Sequence, residues 1–141
     1  MSDHNLHSLP GIQALLDTSP IHRLLGFRAV SVPPVTDPVL LVIAAPAGGN
    51  AERAEGAGQA HGGAIATLID TTATFAASRA VDHIVPTMNL QVNYLRPAAG
   101  AELTATAMVR RVGRTVAIVD VEIESGGKLV AIGRATLATG V

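Results

Sequence analysis

The 141-residue sequence has no cysteine and no tryptophan, and its aromatic residues are Phe27, Phe75 and Tyr94 alone. Without cysteine there is no disulfide, no zinc–thiolate site and no thiol nucleophile. With so few rings, the core has to be assembled from aliphatic side chains: β-branched residues suit strands, and alanine suits a helix that neighbours approach closely. Charged residues make up 15% of the chain and the formal net charge is −1, which argues against general nucleic-acid binding. No apolar run has the length needed to cross a bilayer. The first twenty residues show no basic stretch leading into an apolar one, so no secretory signal is read there. The expectation is a cytoplasmic protein without a membrane or nucleic-acid partner.

What is present is a hydrophobic content of 48%, in a chain long enough for one domain that buries about two-thirds of its unfolded surface. Residues 1–10 are polar and read as frayed. Residues 11–17 and 21–25, bounded by Pro10, Ser19-Pro20 and Gly26, read as short helical turns. Residues 1–25 thus form an N-terminal helical segment ahead of a main domain at 26–141. Strands are expected at 27–32 and 39–45, separated by a proline-rich turn. A Gly/Ala loop at 46–60 is expected to be mobile. Residues 62–80 read as a helix with apolar side chains nearly all round, the pattern of a helix that other elements enclose. Alternating runs at 88–95, 102–111, 115–124 and 129–137 follow, with Gly126-Gly127 turning the last hairpin. The fold class is therefore α+β, one long central helix wrapped by a six-stranded antiparallel sheet.

Asp70 is out of place in that helix, because an ionised carboxylate in an enclosed element is costly unless it is hydrogen-bonded. It either meets the narrow polar stripe of Thr67, Thr71 and Thr74 or does chemistry. His61-Gly62-Gly63 opens the same helix. Paired glycines admit a ligand close to the backbone, and first-turn N–H groups have no intrahelical partner, so this end suits a carbonyl oxygen gaining negative charge. His61 is a ligand, a cap or a positioning group. Gly62 and Asp70 are eight residues apart, about 12 Å along the axis. A site using both requires Gly62 of one chain and Asp70 of another.

The run from His61 to Asp70 (HGGAIATLID), with NYLRPAAGAELTATA and VRRVGRTVAIVDVEI further on, resembles the hotdog-fold thioesterases of the phenylacetic-acid-pathway (PaaI) type, within the 4-hydroxybenzoyl-CoA thioesterase superfamily. The resemblance spans about residues 26–137. It implies a homodimer joined sheet to sheet, with two shared sites, and commonly a homotetramer. It implies an acyl-CoA substrate with no cofactor beyond the coenzyme A it carries, and no metal. Gly62 would donate its N–H to the thioester carbonyl, and Asp70 would act as general base or nucleophile. Thr87 would help place the water or Asp70. Gly63, Asn89, Arg96, Arg111, Gly113 and Arg114 would lie toward coenzyme A, whose phosphates suit the arginine fork.

Six residues before His61, where relatives carry Asn or Gln, this chain has Glu55, which accepts but does not donate when ionised. Either Glu55 takes part, or a shifted loop brings Gln59 or Asn50 to the role. Two other readings are weighed: a non-catalytic acyl-CoA-binding hotdog protein, and a hotdog dehydratase or hydratase. No Gly-x-Ser-x-Gly nucleophile elbow, phosphate loop or dinucleotide fingerprint occurs. Alanines 64, 66, 73, 76 and 77 are expected to line a small-residue pocket.

Overall fold

A computed structural model describes residues 5–141. Two short helices lead the chain, α1 (Leu9–Asp17) and α2 (Pro20–Leu24). Strands β1 (Arg28–Ser31) and β2 (Leu40–Pro46) come next, then a single 3-10 turn and the long helix α3 (Gly62–Val81). Strands β3 (Thr87–Tyr94), β4 (Glu102–Val112), β5 (Val116–Ser125) and β6 (Lys128–Ala138) complete it. All six strands join one antiparallel sheet in the order β1-β2-β4-β5-β6-β3. This is the expected hotdog architecture.

Helix α3 packs mainly on the central strands β4 and β5. Leu68, Ile69, Ala73, Ala76 and Ala77 are wholly buried against the sheet, whose inner face presents Ala117, Val119, Val121 and Ile123. The approach is close enough to demand glycine at Gly133 on β6, where an added Cβ would stand 2.6 Å from Ile69 Cγ2. Ala73, Ala76 and Ala77 are therefore packing residues, closed off inside the protomer, and not the lining of an opening as the sequence suggested.

The N-terminal segment differs from expectation. Residues 1–4 lie outside the described residues, but 5–10 are not frayed. Leu6 is buried and the Ser8 hydroxyl accepts from Gly11 N–H (3.1 Å), capping a helix that starts at Leu9 with Pro10 in its first turn. Ile12 and Leu16 sit in the same core as α3. A second tie comes from Arg79, which is 1% exposed and donates to the carbonyls of Leu6, Leu40 and Pro33. A charged group at that depth is invisible in a pattern of apolar spacing.

Strand β3 is the long edge of the sheet, bonded to β6 on one side only. Met88 and Tyr94 on it are exposed. An eight-residue edge with uncovered apolar side chains is a ready template for pairing with another strand.

Candidate active site

Asp70 lies halfway along α3 and is half-buried. Its Oδ1 accepts a hydrogen bond from the Thr87 hydroxyl at the start of β3 (2.6 Å). Thr87 Oγ1 lies 3.1 Å from Thr74 Oγ1. A hydroxyl has one proton, so with Thr87 donating to the carboxylate it is Thr74 that donates to Thr87. Thr74 stands one turn beyond Asp70 on the same stripe. This relay orients one carboxylate oxygen, while Oδ2 has no hydrogen-bond partner among the described residues.

The N-terminus of α3 is organised by His61, the N-cap, whose Nδ1 accepts from Gly63 N–H (2.8 Å). That bond puts the ring proton on Nε2 of the neutral form and occupies Gly63, while Gly62 N–H keeps no partner among the described residues. The Tyr94 hydroxyl donates to Gly62 O (2.7 Å), and a Cβ on Gly62 would lie 3.3 Å from the Tyr94 ring. Beside this end is an open pocket of about 330 Å³ lined by Gln59, Gly62, Ile65, Tyr94 and Arg96 among others.

The loop before α3, expected to be mobile, is closed on itself. Arg53 N–H donates to Gln59 O (2.9 Å), Gly56 N–H to Glu52 Oε2 (2.8 Å) and His61 N–H to Ala51 O (2.6 Å). Glycines with positive φ at 56 and 58 make the tight path possible. Glu55 is exposed on this loop. Gln59 is the loop residue beside Gly62, whereas Asn50 donates to Leu24 O (3.1 Å) at the end of α2.

The other candidates are dispersed within the protomer. Asn89 is exposed on β3 opposite Thr136, and Arg96 shares the Gly62 pocket. Arg111 lines a separate pocket with Thr36, Asp37 and Ala80. Gly113 N–H donates to Val116 O (2.8 Å) in the β4–β5 turn, next to exposed Arg114. Arg110 and Arg134 are engaged with Asp120, Arg134 through two hydrogen bonds of 2.6 and 2.9 Å.

His22 is the residue that the sequence did not single out. Its Nε2 lies 3.1 Å from Thr71 Oγ1, and its ring stacks on Phe27 (5.2 Å between centroids) and meets Phe75 edge-on (6.5 Å). Burial holds its pKa below the ordinary histidine value, against the opposing pull of the Leu16 carbonyl and the Asp70 charge. A lone histidine in a five-residue helix carries no spacing signal, because its partners on α3, Thr71 and Phe75, are 49 and 53 residues away.

A family model described as the thioesterase superfamily matches residues 57–132. A Halobacterium salinarum protein, provisionally named an esterase, is 38% identical over 116 residues, 79% of this chain and 74% of that one. Mouse acyl-coenzyme A thioesterase 13 is 36% identical over 85 residues, 56% of this chain and 59% of that protein, so the match spans less than two-thirds of that relative. A mutant of the phenylacetic acid degradation protein PaaI from Thermus thermophilus superposes with a TM-score of 0.73, at 25% identity over 85% of this chain and 98% of that one.

Proposed function

We propose that this chain, which belongs to the thioesterase superfamily and is an enzyme of that class, hydrolyses the thioester of an acyl-coenzyme A with Asp70 as its working carboxylate. The observation that carries the reading is the Thr74–Thr87–Asp70 relay, which fixes one oxygen of a half-buried carboxylate and leaves the other free to act. As general base, Asp70 Oδ2 takes a proton from water as the water oxygen attacks the thioester carbon. The C–S bond then breaks, and coenzyme A leaves as thiolate or, once protonated, as thiol. As nucleophile, the carboxylate attacks the thioester carbon and expels coenzyme A as thiolate, leaving an acyl anhydride that water opens to the free acid and the regenerated carboxylate.

The free Gly62 N–H, at the positive end of α3, suits the carbonyl oxygen as it gains charge. About 12 Å separates it from Asp70 along one helix, so the reading takes Gly62 and Asp70 from two copies of the chain. The exposed β3 edge is the surface on which those copies would join, in a homodimer able to pair again into a homotetramer. His61 then serves as the cap that frees Gly62, and Glu55 or Gln59 borders the water. Arg96 stands nearest the Gly62 pocket for a coenzyme A phosphate, while Asn89, Arg111, Gly113 and Arg114 would have to reach it from the second copy. The acyl group would be small, medium-chain or aryl, and no cofactor is needed.

The test is thiol release from a panel of acyl-CoA substrates by wild type and Asp70→Asn, with binding measured in parallel. The variant is expected to lose about 10²- to 10⁴-fold in kcat while still binding acyl-CoA. Unchanged turnover in the variant, or silence of the wild type across the panel, would overturn the reading; binding without turnover would mark a non-catalytic acyl-CoA-binding protein.

A further inference from the structure

We propose that His22 is a positioning residue for Asp70, docked through Thr71 on the turn of α3 that carries the carboxylate. The inference rests on Asp70 being the working carboxylate. Helix α2 has five residues, buries none of them, and its N-cap Ser19 makes no side-chain capping bond. Neither apolar burial nor capping holds it on α3, and its polar tie there is the Thr71–His22 contact of 3.1 Å. Both phenylalanines of the chain converge on the same ring, Phe27 face-on and Phe75 edge-on.

Thr71 and Phe75 lie one turn apart on one stripe of α3, and Asp70 and Thr74 lie one turn apart on the adjacent stripe. The turn bearing Asp70 is therefore gripped from two sides, by Thr87 of β3 and by His22 of α2. His22 Nδ1 is buried and makes no hydrogen bond of normal geometry, although the Leu16 carbonyl lies close enough to pull on the ring's charge. The groups facing the ring are the Leu16 carbonyl from α1, Phe27 after α2, and Thr71, Phe75 and the Asp70 charge from α3. Arg23, next to it on α2, is engaged elsewhere, donating to Asp17 O (2.8 Å).

Burial disfavours the charged ring, so His22 works neutral. Protonating it would place a cation beside the base, weaken that base and strain the α2–α3 contact. Activity should thus drop on the acid side as the ring takes up its proton.

The experiment compares wild type, His22→Gln and His22→Phe as full-length proteins. The glutamine amide can still meet Thr71; phenylalanine keeps the stacking alone. At about pH 8, kcat should fall about tenfold in His22→Phe, less in His22→Gln, with KM within about twofold. Wild type should show an added fall of about tenfold in kcat on the acid side as the ring takes up its proton, and both variants should lack that step. Equal loss at every pH, a variant that keeps the acid-side step, or no rescue by glutamine would overturn the proposal. A readout free of turnover is the NMR titration of the His22 ring, whose pKa should drop in Asp70→Asn because a neighbouring negative charge has gone. A wild type that releases no thiol defeats the acyl-CoA reading, and the ring titration then still decides the coupling: a shift supports it, and none overturns it.

Discussion

The Thr87 hydroxyl donates to Asp70 Oδ1 at 2.6 Å from a different element of the fold, at the first residue of the edge strand β3. Removing that donor while keeping the side-chain shape isolates its role. Thr87→Val should lower kcat about tenfold, with little change in thermal stability because the site is half-buried, and Thr87→Ser should keep most of the rate. Steady-state kinetics with a thermal melt of each variant checks this.

Gly62→Ala keeps the backbone N–H but adds a methyl group 3.3 Å from the Tyr94 ring. Tyr94 is about half exposed, 53%, so it can swing aside and the protein should fold. The Tyr94–Gly62 hydrogen bond and the approach to the N–H are what suffer. We expect kcat/KM to fall about tenfold, less than the loss of an entire oxyanion donor, and kinetics on the folded variant measures it.

Arg79 is a cation in the interior whose partners are three main-chain carbonyls, from Leu6, Pro33 and Leu40. Burial pushes its pKa down, but guanidinium remains charged in any working range. Arg79→Met would fill much of the volume and leave those carbonyls unpaired. The expected cost is about 2–4 kcal/mol, read from urea unfolding. Exchange at the amides of residues 5–8 should rise with it.

Asp120 on β5 is held below the usual carboxylate range, first by its hydrogen bonds from Arg134 on β6 and then by the charges of Arg134 and Arg110, with burial opposing. A depressed carboxylate stabilises the fold above its unfolded pKa, near 3.8, and that stabilisation is lost as pH falls through the lower folded value. The Asp120 side chain is 34% exposed, so solvent screening limits the contribution to about 1 kcal/mol or less. Asp120→Asn should unfold more easily near neutral pH and lose less stability than wild type on acidification below about pH 4. Parallel urea titrations at the two pH values check it. The depressed pKa of His22 acts in the same direction in a separate window, from the ordinary 6.5 downward.

Much of the fold was legible because each element satisfies its own periodicity. The alternation of Ala117, Val119, Val121 and Ile123 marks β5 whatever its neighbours are, and the all-round apolar α3 announces an enclosing sheet. Asp70 was legible as a violation of that pattern, and Gly62 and His61 as helix-start chemistry. The loop at 46–60 and residues 5–10 were misread, since their order comes from hydrogen bonds that composition does not encode, such as His61 to Ala51 and Arg79 to Leu6.

The sequence by itself determined the element types, the alternation along the strands and the anomalous carboxylate, all of which depend on residues within a few positions of one another. Only the tertiary structure decided what surrounds that carboxylate. Thr87 reaches it from 17 positions away, and His22 reaches the next residue, Thr71, from 49 positions away. Those contacts exist because the sheet curls round α3 and brings the β3 edge and the α2 segment to the same turn. Side-chain spacing along the chain carries no trace of such meetings, since non-local contacts are set by how whole elements pack.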